Sequence, residues 1–123
     1  MKTAILIHSD PKAGEEALGR LFNALAVAHD VKQQGDDARI LFLGTGTRWI
    51  SELANAEHPA HGLFNLVKDH VEGVSPACAD VFGTADEVKS SEFDFVSDNP
   101  IPGTSGLPSV PRLMSEGYNV LVY

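Results

Sequence analysis

Three short runs constrain this chain more than anything else in it: KTAILIHS (Lys2–Ser9), ARILFLG (Ala38–Gly44) and YNVLVY (Tyr118–Tyr123). The first two centre on continuous apolar stretches, AILI and ILFL, and carry β-branched residues, so a strand made from either must be buried on both faces. That is the pattern of a parallel sheet between layers of helix, not of an antiparallel sheet with one wet face. Parallel neighbours need crossovers, and helical stretches lie where those crossovers must run.

The first crossover is the best marked. Asp10 followed by Pro11 reads as an N-cap and first helical position, and Glu15 and Glu16 sit where a helix dipole favours acids. The helix is expected to reach about Lys32 and to end at Gly35. Its stripe of Leu18, Leu21, Phe22, Leu25 and Ala28 is widened by Ala17, Ala24, Val27 and Val31. So broad a face requires cover by the sheet and a second helix, or by another subunit. Further on, Thr45 or Thr47 is placed to cap a short helix containing Trp49, Ile50 and Leu53, and Leu63–Val71 lies in the next helix. Val71–Ser75 reads as a third strand and Asp94–Val96 as a fourth. SDNPIPGTSGLPS (Ser97–Ser109) reads as a loop, VPRLMSEG as a short helix ended by Gly117, and YNVLVY as the last strand. The expectation is one α/β domain over residues 1–123: a three-layer α/β/α fold on a mostly parallel sheet of about five strands.

Composition narrows the function. Seventeen acidic against nine basic residues give a net charge of −8, with no Lys/Arg cluster to neutralise phosphates, so nucleic-acid partners are not expected. No apolar run approaches the ~20 residues of a membrane span, so no membrane partner is expected either. The opening run stops at His8-Ser9-Asp10-Pro11, reading as a strand entering a helix cap and not as a signal peptide; a cytoplasmic location is expected. One cysteine, Cys78, excludes an internal disulfide and any CxxC pair.

In parallel α/β folds ligands bind beyond the carboxyl ends of the strands. That rule gathers the His8–Asp10 turn, the Gly44–Thr47 turn, the Ser75–Cys78 turn and the Pro-rich loop onto one rim. Cys78 lies just past a strand, before a helical turn expected to begin at Ala79, whose amides would favour a thiolate. A free cysteine also serves as a small buried hydrophobe, and the residues alone leave both roles open. His8, ending the first strand, is a candidate neighbour for the thiol or simply the cap of a strand end. Ser9, Gly44, Thr45 and Thr47 offer hydroxyls and amides to a small anion, and helix capping explains the threonines equally well. The P-loop lysine and the GxGxxG spacing are both missing, and no cofactor is expected. His58 and His61, in HPAH, are separated by a proline that spoils helical presentation; no metal is expected. The Ser97–Ser109 loop is long for a compact domain and is a candidate lid.

The order of elements, with FLGTGT, the lone cysteine in CADVFG and the closing LMSEGYNVLVY, resembles the DsrE/DsrF-like family, which includes sulfur-relay subunits. The resemblance covers nearly the whole chain. It implies a three-layer α/β/α fold and a homo-oligomer, commonly a trimer or hexamer. It further implies a cysteine that holds sulfane sulfur as a persulfide and passes it between protein donor and acceptor; only Cys78 can take that part. The alternative is a non-catalytic binding or assembly protein of the same fold, with Cys78 packed and the rim holding a small anion or nucleotide.

Overall fold

The computed structural model describes residues 1–123. Strands β1 (Lys2–Ile7), β2 (Asp37–Phe42), β3 (Val71–Val74) and β4 (Asn119–Val122) form one all-parallel sheet in the order β3-β2-β1-β4. The sheet thus has four strands where about five were expected. Asp94–Val96, the expected fourth strand, makes a single parallel bridge from Phe95 to Val74. Two bonds hold it, Val74 N–H to the Asp94 carbonyl and Val96 N–H to the Val74 carbonyl, both 2.9 Å. It extends no further because Ser97 and Asp98 follow, poor strand formers, and Asp98 is drawn into an ion pair with Arg112.

Double burial splits the strands into two faces. Ile5, Ile7, Ile40 and Phe42 point to one side, under helices α1 (Glu15–Gln33) and α3 (His61–Val67). Each such side chain contributes about 1.5–3 kcal/mol on full burial. The breadth of the α1 stripe is explained here: Leu21, Ala24, Leu25 and Ala28 are fully buried, while Phe22 and Val27 flank the same core beside α3. At its start, Asp10 caps a 3-10 turn over Pro11–Ala13, accepting from Lys12 N–H at 2.9 Å, and not α1 itself. Gly14, at φ 89°, separates that turn from the helix, a conformation its missing Cβ permits.

The other face carries Ala4, Leu6, Leu41 and Leu43 under Leu113 and Tyr118. Its cover is thin, resting largely on α6 (Val110–Ser115), which has its N-cap at Ser109 and proline in its first turn. A charge network anchors this helix. Arg112 pairs with Glu72 at 2.6 Å, with Glu116 at 3.1 Å and with Asp98, while Glu72 also accepts from Arg39 at 2.8 Å. The Tyr118 hydroxyl donates to Asp37, and its ring lies beneath Lys2 and Arg39. Burial, then the Asp37 hydrogen bond, push the phenol up to about 12. β4 is an open edge, with Leu121 and Val122 exposed. No helix is long and apolar enough to cross a membrane.

Burial alone would raise the Asp98 carboxyl, but the Ser109 N–H and Arg112 outweigh it and hold it below its ordinary 3.8. A depressed carboxyl contributes stability that is present above its unfolded value and lost as pH falls through its folded value. Asp98→Asn is therefore expected to lower the urea midpoint at pH 7, and the gap to the parent protein to close below about pH 4. A gap that is independent of pH would show that the Asp98 charge contributes nothing.

Candidate functional site

The carboxyl ends of β1, β2 and β3 meet on one rim, as the topology requires. The Gly44–Arg48 segment is a 3-10 turn leading into α2 (Trp49–Ala54) and lies directly on the end of β1. A Cβ on Gly46 would stand 2.1 Å from the Ile7 carbonyl oxygen, so no other residue fits that position. The contact is reinforced from both sides. Trp49 Nε1–H donates to the Ser9 carbonyl at 2.7 Å, Thr45 Oγ1 donates to the His8 carbonyl at 3.2 Å, and Arg48 pairs with Asp10 at 2.7 Å.

These contacts occupy the hydroxyls singled out in the sequence. Ser9 and Thr47 are buried; Thr47 donates to the Gly44 carbonyl at 3.0 Å and accepts from Thr84 at 2.9 Å. Neither Thr45 nor Thr47 caps α2, which has no side-chain cap. In the tight 3-10 turn both hydroxyls find backbone carbonyls instead. His8 stands open to solvent on one side. Desolvation along the other, beside the Gly44 turn, lowers its pKa.

Cys78 sits on α4 (Pro76–Val81), which begins three residues earlier than the Ala79 expected. Ser75 is the N-cap, its buried hydroxyl accepting from Cys78 N–H at 3.4 Å, and Pro76 opens the helix. Ser-Pro repeats the grammar of Asp10-Pro11, so the signal was present in the sequence. The next free amide, Ala77 N–H, donates to the Gly106 carbonyl at 2.9 Å. The chain itself thus occupies the two amides best placed to favour a thiolate.

The thiol is half-buried and packs against the Leu6, Leu41 and Leu43 cluster, alongside Val96 and Val110. Those two valines flank the Ser97–Ser109 loop. Within it, Asn99 and Leu107 exchange backbone bonds of 2.8 and 3.0 Å, and Ser105 donates to Asp80 on α4. A cavity of about 250 Å³ separates α4 from the loop tip, bordered by Asp80, Val81 and Thr104. Val81 and Phe82 are exposed beside it, with the Arg48 guanidinium 5.7 Å from the Phe82 ring centre.

His8 and Cys78 are not joined by any hydrogen bond. β2 lies between their strands, a separation of roughly 10 Å for two strand spacings. Of the remaining histidines, His29 meets the Gln33 side chain on α1 at 3.1 Å, and the other three serve the backbone. His58 Nδ1 accepts from Ala60 N–H at 3.1 Å, and His61 and His70 bond the carbonyls of Leu53 and Ala38. No three metal-ligating side chains converge anywhere in the chain. No histidine is therefore placed as a base against the thiol. Arg112 and Glu72, which brace the face beneath Cys78, went unremarked in the sequence because their pairing spans distant segments with no local pattern.

No family model matches the chain. It is 32% identical over 89 residues to the uncharacterized protein MJ0733 of Methanocaldococcus jannaschii, across 72% of this chain and 73% of that protein. In structure it is similar to the ychN protein of E. coli, with a TM-score of 0.55 and 16% identity over the whole of both chains. That likeness supports the DsrE-like fold.

Gly46→Ala is expected to cost about 2–4 kcal/mol or to prevent folding, because backbone faces the new methyl. Gly19→Ala, on α1 with open space around it, is expected to gain up to about 1 kcal/mol. Urea denaturation of the pair checks both; equal effects would mean that the rim contact does not organise the fold.

Proposed function

The chain belongs to the same family as the uncharacterized protein MJ0733, and from that premise we propose that Cys78 carries sulfane sulfur as a persulfide and hands it to a protein partner. One observation carries the reading. The only thiol in the chain lies half-exposed beyond the carboxyl end of β3 in a DsrE-like fold, three residues from the exposed Val81–Phe82 pair.

In the loading step the Cys78 thiolate attacks the outer sulfur of a donor persulfide. The new Sγ–S bond forms as the donor's S–S bond breaks, and the donor leaves as a thiolate with the electron pair. In the second step an acceptor thiolate attacks the outer sulfur on Cys78 and releases the Cys78 thiolate. Sulfur moves without net oxidation, so no redox cofactor takes part. Because Val96 and Val110 pack on the same cluster as the thiol, movement of the loop between them regulates access to it. A thiol kept unpaired for this purpose fits the reducing cytoplasm.

The packing of Cys78 on the Leu6–Leu43 cluster favours a second reading, in which the thiol only fills space. Intact-mass measurement after incubation with a sulfane-sulfur donor separates the two. The carrier reading expects a gain of about 32 Da that is lost on reduction and absent from Cys78→Ala. No gain, from a thiol that also resists alkylation in the folded protein, would leave the packing role.

Self-association is proposed with it, through the open β4 edge. Native edges are usually guarded by lysine, proline or a bulge, and Asn119–Val122 has none of these. Light scattering at micromolar concentration is expected to show an oligomer that Val122→Lys dissociates; a monomeric parent protein would overturn the proposal.

A further inference from the structure

The largest concavities lie away from Cys78. Two adjoining cavities, of about 310 and 470 Å³, share Ile50, Ala54, Ser90 and Ser91 and form one groove between α2 and α5 (Ala85–Lys89). Each is of the size that holds a small organic molecule. Its floor is apolar, with Leu53 and Phe64 buried and the Phe93 ring 5.6 Å from that of Phe64. His61, from the otherwise unassigned HPAH stretch, forms part of the wall, fixed there by the Leu53 carbonyl and Asn65.

The charges around the groove are unequal. Lys68, its one cation, already faces Glu92 at 3.6 Å. Asp86 and Glu87 border the other end, and neither carboxylate enters an ion pair with any cation of the chain. An anion entering the groove would meet an uncompensated negative end; a cation would find partners there and an aromatic floor beside them.

We propose that this groove binds a small organic cation, an apolar or aromatic body bearing one ammonium group, with the body on Phe64 and Phe93 and the charge toward Asp86 and Glu87. The site is independent of the persulfide reading, since Cys78 lines neither cavity.

Phenethylammonium and phenylacetate share a body of similar shape and differ in charge, which makes them the probes of choice. Titration of the full chain with each is followed through the backbone amide resonances of Ala54, Ser90, Ser91 and Glu92. Phenethylammonium is expected to give saturable shifts that weaken with added salt, and phenylacetate none. Asp86→Asn with Glu87→Gln is expected to weaken binding about threefold or more. Ala54→Trp, at an exposed position on the groove wall, is expected to abolish it, and Cys78→Ala to leave it unchanged. Equal binding of both probes, shifts that survive the double charge substitution, or no saturable shifts at all would overturn the proposal. Should Ala54→Trp fail to fold, the surface charge variant decides alone.

Discussion

Arg112 holds the thin side of the sheet together. Its guanidinium reaches Glu72 on β3, Asp98 at the head of the Pro-rich loop and Glu116 at the C-cap of its own helix. A helix of six residues has little propensity to form alone, and its single deeply buried anchor is Leu113. These ion pairs are partly open to solvent, so each contributes modestly to stability. Their larger effect is geometric: one side chain fixes helix, loop and strand relative to one another. The guanidinium is held even more firmly charged than usual, by Glu72 first, so the arrangement does not titrate through that group.

Cys78 depends on the same brace. It packs on the cluster that α6 covers, beside valines at both ends of the loop that Asp98 and Arg112 tie down. The amides of its own helical turn are committed to Ser75 and Gly106. The loop is joined to that turn by the Ser105–Asp80 and Gly106–Ala77 bonds.

The parallel sheet was legible because β1 and β2 are buried on both faces, and a continuous apolar run reports that directly. The closing strand was legible too, as were the Gly35 and Gly117 helix ends. Asp94–Val96 makes a bridge and not a full strand, because a segment of three residues with two apolar ones cannot report whether its neighbours continue the pairing. The start of α4 lies three residues before the expected Ala79, at the Ser75-Pro76 cap, whose signal is a single residue pair with no apolar periodicity behind it in so short a helix. The fate of Ser9, Thr45 and Thr47 was beyond reach: whether a hydroxyl faces outward or inward depends on the approach of Gly46 to Ile7, a contact between separate segments. The groove between α2 and α5 left no trace in periodicity, because its walls come from four elements.

The order β3-β2-β1-β4 also governs when the protein can finish folding. Thr3 pairs with Ala38 on one side and with Asn119 on the other. The β1–β2 pair can form around α1 soon after those residues leave the ribosome, but the second edge of β1 stays bare until the last strand emerges. During that interval an apolar, hydrogen-bond-hungry edge is exposed to other nascent chains, the circumstance in which strands mispair. Pairings this distant in sequence also form slowly.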